Sequence, residues 1–169
     1  MEIDEQELQK QYRMMQRRIP IAAFMAMKMP AGAFVGLRVE SVNNDQTVVS
    51  VPGGRRTQNP FGTMYWAVQG MAAELATAVV PTSISRSTAM KLRMFVVGTE
   101  ATFGRKAYGR CYFTCDDTKK VIAAFDQSLQ TGQSVDCELT VTGRDADQET
   151  VSEWMFRWNF LATEESEKK

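Results

Sequence analysis

Met64-Tyr65-Trp66-Ala67-Val68-Gln69-Gly70-Met71-Ala72-Ala73-Glu74-Leu75-Ala76-Thr77-Ala78-Val79-Val80 decides the reading of this chain. Glu74 is its only charged residue, and Gln69 and Thr77 are its only other clearly polar side chains. The stretch is long enough for roughly four or more helical turns. A helix that is apolar on every side is a buried helix, so this one belongs at the centre of the molecule with a sheet around it. Pro81 is expected to close it.

Working outward, the flanks supply the sheet. Upstream, Val35, Leu37 and Val39 alternate with Gly36, Arg38 and Glu40, the period of a half-buried strand. Asn43-Asn44-Asp45 turns the chain, and Thr47 to Val51 returns. Downstream, Leu92, Met94 and Val96 alternate, Gly98 suggests a bend, and the strand reaches Phe103. A further strand runs from Ala107 to Cys115, another carries Val135, Cys137, Leu139 and Val141, and the last places Trp154, Phe156, Trp158 and Phe160 on one face. Thr118 to Gln130 reads as an inserted helix with Gly132 at its C-cap. Ahead of everything, residues 3–18 and 20–29 read as two helices, the second ended by Pro30-Ala31-Gly32. Hairpin connections argue for an antiparallel sheet, and the buried helix covers its inner face, which makes the fold class α+β.

Length and charge bound the function. At 169 residues the expected organisation is one domain over 1–169: a helical extension over 1–32, a core over 33–163 and a charged tail over 164–169. Twenty basic and twenty acidic residues cancel, which argues against nucleic acid as a partner. The chain contains no histidine, which removes His-dependent triads, His-ligated zinc and histidine as general base. Cys111, Cys115 and Cys137 are too unevenly spaced for a metal site. The first two lie ~13 Å apart along a strand, beyond disulfide reach. They read as buried thiols of a reducing compartment, and no metal is expected. Arg17-Arg18 followed by Ile19 to Met27 has the look of a signal peptide. The acidic start at Glu2, Asp4, Glu5 and Glu7 has the wrong sign for one, and the run is too short to span a membrane. The expectation is a cytoplasmic protein without a membrane span.

Glu74 is the residue that needs an explanation. A carboxylate in an apolar helix is costly to bury ionised, and no basic side chain stands three or four residues away. Burial without a cation raises its pKa towards neutrality, which suits a general acid or base. The bland reading, in which Glu74 reaches donors elsewhere and locks the interior, weighs equally on these grounds. Just upstream, Asn59-Pro60-Phe61-Gly62-Thr63 combines an amide side chain, a glycine that permits close approach and Thr63 as a candidate N-cap. Free N–H groups at such a helix start can hold a developing oxyanion.

Asn59-Pro60-Phe61-Gly62-Thr63-Met64-Tyr65-Trp66-Ala67, with Glu74 nine residues after Tyr65, resembles the signature of hot-dog-fold acyl-CoA thioesterases. In the phenylacetate-pathway branch the pattern is Asn-x-x-Gly-x-x-His-Gly-Gly with an acidic residue nine after the histidine. Phe103-Gly104-Arg105-Lys106-Ala107-Tyr108-Gly109 is similar to that family's following segment, which ends in Ala-x-Gly. More narrowly, the chain resembles a bacterial group of thioesterase-like hot-dog proteins. The layout covers residues 33–163, and the specific motif covers residues 59–74.

The resemblance implies a hot-dog fold, an antiparallel sheet wrapped around one long buried helix. The N-terminal helices and the inserted helix read above lie outside that minimal fold and are additions of this chain. It implies hydrolysis of an acyl-CoA or related acyl thioester, with Glu74 and Asn59 catalytic and Gly62, Thr63, Tyr65 and Trp66 around the oxyanion and substrate. It also implies Arg105 and Lys106 as grips for coenzyme A phosphates. Arg55-Arg56 is a second basic pair that could do the same. No cofactor is implied beyond the coenzyme A thioester as substrate. The family builds each site from two subunits, so a homodimer or homotetramer is expected, with Asn59 of one chain facing Glu74 of another. The four aromatics of the last strand and the central helix are expected to be left bare in a monomer.

Tyr65-Trp66-Ala67 departs from the family's His-Gly-Gly, and Trp66 would narrow the approach unless it points away. That departure supports the alternative, a non-catalytic acyl-binding module on the same fold. Glu at position 74 is the choice made in 4-hydroxybenzoyl-CoA thioesterases. Among the methionines, Met25, Met27, Met29, Met64, Met71, Met90 and Met94 are candidates for an adaptable acyl tunnel or for core filling.

Overall fold

The structure, a computed structural model, describes residues 4–88 and 90–164. The expectations that touch Ile3 and the tail beyond Glu164 lie outside the described residues. The first helix, α1 (Glu5–Gln16), starts at Asp4, whose Oδ1 accepts the N–H of Gln6 at 2.9 Å and of Glu7 at 3.1 Å. Leu8, Tyr12 and Met15 form its buried stripe. It is followed by α2 (Arg18–Lys28). Pro30 does not end the helical region but opens a third helix, α3 (Pro30–Val35). Proline is at home in a first turn, where its missing N–H has no partner to lose. Gly36 stops α3 with a φ of 80°, donating its N–H to the carbonyls of Gly32 and Ala33. The first strand therefore starts at Arg38, three residues later than the alternation from Val35 suggests.

The remaining elements are β1 (Arg38–Val42), β2 (Thr47–Val51), α4 (Trp66–Ser87), β3 (Met90–Phe103), β4 (Cys111–Cys115), α5 (Thr118–Thr131), β5 (Val135–Arg144) and β6 (Thr150–Glu164). They form one antiparallel sheet in the order β1-β2-β4-β5-β6-β3, and α4 packs against every strand of it. This is the hot-dog arrangement, α+β, as the sequence led one to expect. Gly132 caps α5 at a φ of 65°, and the bend expected at Gly98 is a register shift between Val96 and Gly98.

Helix α4 runs on through Pro81, against the expectation that it stops there. An interior proline costs about 3 kcal/mol. Val79, Val80, Pro81, Ser83 and Ile84 are all buried on this helix. Full burial of an aliphatic side chain such as Val80 or Ile84 contributes about 1.5–3 kcal/mol each. Packing of the last turns thus outweighs the missing hydrogen bond.

The aromatics of β6 correct a second expectation. Trp154, Phe156, Trp158 and Phe160 are buried within this one chain, so they do not by themselves call for a partner subunit. Trp158 Nε1 donates to Thr77 Oγ1 of α4 at 2.9 Å. A Cβ at Gly70 would stand 3.2 Å from the Trp154 ring, so this glycine sets how closely α4 approaches β6. The large apolar side chains that stay exposed among the described residues are elsewhere: Met14, Ile19, Met27 and Phe34 on the N-terminal helices, Phe61, Tyr65 and Trp66 at the start of α4, Phe95, Val97 and Phe103 on β3, and Tyr108.

Residues 107–110 form a loop where a strand was expected, and β4 begins at Cys111. The loop is held by contacts: Ala107 accepts the N–H of Met64 at 2.9 Å, and Gly109 lies against Gly53. A Cβ on Gly53 would meet the Gly109 carbonyl oxygen at 2.5 Å. Gly53→Ala is therefore expected to force the two loops apart at a cost of about 1–3 kcal/mol. Each kcal/mol should lower Tm by roughly 2–4 °C in a chain of this size, measurable by calorimetry. An unchanged Tm would mean that the contact is not needed for stability.

Candidate functional site

Two places built on α4 hold the residues singled out by sequence. The first is the loop leading into the helix. Asn59 is committed to that loop: its Oδ1 accepts the N–H groups of Phe61 (3.0 Å) and Thr63 (3.2 Å), and its Nδ2 donates to Thr63 Oγ1 (2.9 Å). Gly62 takes a φ of 76°, which suits glycine. Thr63 is buried but is not the N-cap; α4 is capped at Tyr65, with no side-chain hydrogen bond. The reason is that the chain from Thr57 to Tyr65 is already pinned by backbone bonds. Asn59 donates to Thr63 O, Met64 to Ala107 O, and Tyr65 to Thr57 O at 2.8 Å.

That pinning decides which donors are free. The Tyr65 N–H is taken, whereas those of Trp66 and Ala67 have no acceptor among the described residues. They lie at the positive end of α4, where an anion is favoured. Trp66 is 57% exposed and packs edge-to-face on Tyr65, with ring centroids 5.9 Å apart. Within one chain the indole therefore points outward and does not plug the helix start.

The second place is a cavity of about 450 Å³ between α4, β3 and the N-terminal helices. This lies inside the roughly 300–1,000 Å³ range of small-molecule sites. Its walls are almost wholly apolar, with Ile21 and Phe24 from α2, Leu75 and Ala78 from α4, Phe95 from β3 and Trp158 from β6 among them. Among the described residues, Glu74 is the only ionisable side chain in the lining. It is half-buried, and its carboxylate has no hydrogen-bond or ion-pair partner among the described residues. Desolvation by burial pushes its pKa up from the ordinary value. Eight residues separate Glu74 from Trp66, about 12 Å along the helix axis.

The other candidates are dispersed. Arg105 and Lys106 lie in the loop after β3, exposed, and Arg105 pairs with Glu149 at 2.8 Å. Arg55 and Arg56 are exposed, the latter 6.0 Å from the Phe34 ring centroid. Of the methionines proposed for a tunnel, Met29 and Met94 line the cavity, Met25 and Met64 sit in the core, and Met71 is half-buried against it. Met27 points outward, and the Met90 side chain lies outside the described residues. Met15, Ile21 and Phe24 were missed as cavity residues, because a periodic pattern marks a buried face without telling whether that face meets protein or empty space. All three cysteines are free and buried, and burial pushes their thiols up to about 11 for Cys111 and Cys137 and about 12 for Cys115.

Residues 17–160 match the model of a family described as a domain of unknown function, DUF4442. No curated protein matches the chain. Solved structures share its fold at low identity. A Pseudomonas aeruginosa protein described as a probable thioesterase has a TM-score of 0.69 at 19% identity, over 88% of this chain and 99% of that one. A Chlorobaculum tepidum protein of unknown function has a TM-score of 0.69 at 16% identity, over 93% and 95%. A thioesterase from Haemophilus influenzae has a TM-score of 0.65 at 10% identity, over 92% and 99%.

Proposed function

The chain belongs to the DUF4442 family, and we propose that it hydrolyses an acyl-CoA or related acyl thioester, with the acyl group in the apolar cavity and Glu74 as the catalytic carboxylate. The observation that carries this reading is Glu74 itself, a carboxylate of raised pKa in the wall of an apolar cavity, without a partner among the described residues. A carboxylate in this setting is a stronger base than one in water, so it can take the proton of an attacking water or attack the thioester carbonyl. The free N–H groups of Trp66 and Ala67 are the donors for the oxyanion. Tyr65 then contributes its position, not its N–H.

Trp66 and Glu74 stand too far apart along α4 to act on one carbonyl from a single chain. We therefore assign them to sites shared between two subunits, with the Asn59–Trp66 loop of one chain approaching Glu74 of another. Support comes from β3, an edge strand with hydrogen-bonding groups open on one side and Phe95, Val97 and Phe103 exposed. Sedimentation at micromolar concentration should give a mass of at least two chains of 19.0 kDa. A monomer would remove the shared site. Arg105 and Lys106 are the proposed grips for the coenzyme A phosphates, with Lys106 the freer of the two. Hydrolysis of a panel of acyl-CoAs tests the activity: turnover that depends on Glu74 supports an enzyme, and tight binding without turnover supports the acyl-binding module instead.

A further inference from the structure

The N-terminal helices carry a face that nothing above explains. Along α2, Ile19, Ala22, Ala23, Ala26 and Met27 follow the spacing i, i+3, i+4, i+7, i+8 of a single helical stripe. That stripe faces solvent: all five residues are exposed, Ile19 at 83% and Met27 at 74%. The opposite stripe is apolar as well, with Ile21 and Met25 buried and Phe24 lining the cavity. A helix that only covers a core has polar residues on its outer face. This one is apolar on both sides, and the N-terminal helices also expose Phe34 on α3 and Met14 on α1.

The charge along this stretch of the chain is one-sided. Between residues 8 and 39 the charged side chains are Lys10, Arg13, Arg17, Arg18, Lys28 and Arg38, all basic, in a chain whose formal net charge is 0. Arg13, Arg17, Arg18 and Lys28 have no ion-pair partner among the described residues. An apolar helix flank with unpaired cations at its N-terminal end is the arrangement of a helix that lies in the headgroup region of an anionic bilayer. At eleven residues α2 is only ~16 Å long, so it can lie on such a surface but not cross it.

We propose that the outer face of α2, with Ile19 and Met27 as its apolar contacts and the neighbouring Arg13, Arg17 and Arg18 as its cations, docks on an anionic lipid bilayer. Charge separates this occupant from a second copy of the chain, because a two-fold contact through the stripe would bring the same cations against each other. The stripe also lacks hydrogen-bonding side chains, which suits the fluid boundary of a bilayer better than a specific protein surface. The consequence for substrate rests on the reading of the cavity given above. The helix that touches the bilayer is the one that walls the cavity, so an acyl chain partitioned into the membrane would have a short path to Glu74. The docking itself needs no turnover and is measured without it.

The test is flotation of the full chain with vesicles of phosphatidylcholine alone or of phosphatidylcholine with phosphatidylglycerol. Binding is expected to the anionic vesicles only, and to be lost at about 0.5 M salt. Arg17→Gln with Arg18→Gln should weaken it roughly 25-fold, at about 1 kcal/mol, or fivefold, per cation. Ile19→Ser with Met27→Ser should weaken it at least as much, with an unchanged melting temperature because both side chains are exposed. No binding to anionic vesicles by the folded protein overturns the proposal. So does binding that ignores lipid charge and both pairs of substitutions. Dissociation of the oligomer by Ile19→Ser with Met27→Ser would assign the face to a second copy. Retention on an acidic carrier protein without vesicle binding, abolished by the arginine substitutions, would assign it to a protein partner. Either result overturns the bilayer assignment.

Discussion

Glu74→Gln is expected to lower thioester hydrolysis by at least the ~10²–10⁴-fold associated with a lost general base, while the protein stays folded. Glutamine keeps the size of the side chain but can neither take a proton at pH 7 nor attack a carbonyl. The stability of the variant separates a catalytic from a structural role. Glu74 has no partner to lose among the described residues, so removing its charge removes a desolvation cost and Tm should hold or rise. The pH dependence has a definite sign. Folding raises the pKa of Glu74 above its ordinary 4.5, so the folded protein holds this proton more tightly than the unfolded chain. Its contribution to stability is most favourable below the unfolded pKa and is lost as pH rises through the folded value. Melting curves of the two proteins should therefore draw together near pH 4 and separate, in favour of Glu74→Gln, at higher pH. Full turnover by a folded Glu74→Gln protein would remove the mechanism. A drop in Tm, with activity falling only in step with folded protein, would return Glu74 to a structural lock.

Ala78→Phe is expected to change which acyl chains are accepted. Ala78 stands one turn beyond Glu74 on the same face of α4 and lines the same cavity. A phenyl ring there would occupy space that the acyl chain needs, while leaving the carboxylate and the helix start in place. Each methylene that can no longer be buried costs about 0.8 kcal/mol, roughly fourfold in kcat/KM. Exclusion of four methylenes should cost roughly 200-fold for a long acyl chain and little for a short one. The measurement is kcat/KM across a series of chain lengths, with Tm as the control for folding. An unchanged profile in a folded variant would place the acyl group outside this cavity.

Much of the architecture was legible because it depends on local pattern. The uniform apolarity of Met64 to Val80 marks a helix with no solvent face, and α4 is that helix. The alternation of Trp154, Phe156, Trp158 and Phe160 marks a strand with one buried face, and all four are buried. A lone carboxylate within the apolar helix is likewise a local fact, so Glu74 could be singled out before any contact was known. The motif around Asn59 and Gly62 was legible as a loop ahead of a helix, since glycine and asparagine tolerate the backbone that such a loop needs.

What the pattern could not supply is every outcome that depends on distant partners. Pro81 looked like a stop because local propensity opposes it, yet the burial of Val80 and Ile84 carries α4 past it. Thr63 looked like a cap, but backbone bonds from Met64 to Ala107 and from Tyr65 to Thr57 move the helix start to Trp66 and leave the N–H groups of Trp66 and Ala67 free. The cavity joins residues of α1 and α2 to α4, β3 and β6, a meeting that no periodicity encodes. The sequence by itself determined a central helix in an antiparallel sheet and an unbalanced carboxylate on that helix, because side-chain polarity and spacing act over a few residues. Only the tertiary structure decided that this carboxylate looks into a void, that the aromatics of β6 are satisfied within one chain and that the outer stripe of α2 is bare. Burial is a property of the whole packed molecule, and it sets both the desolvation that raises the pKa of Glu74 and the apolar surface left to meet something else.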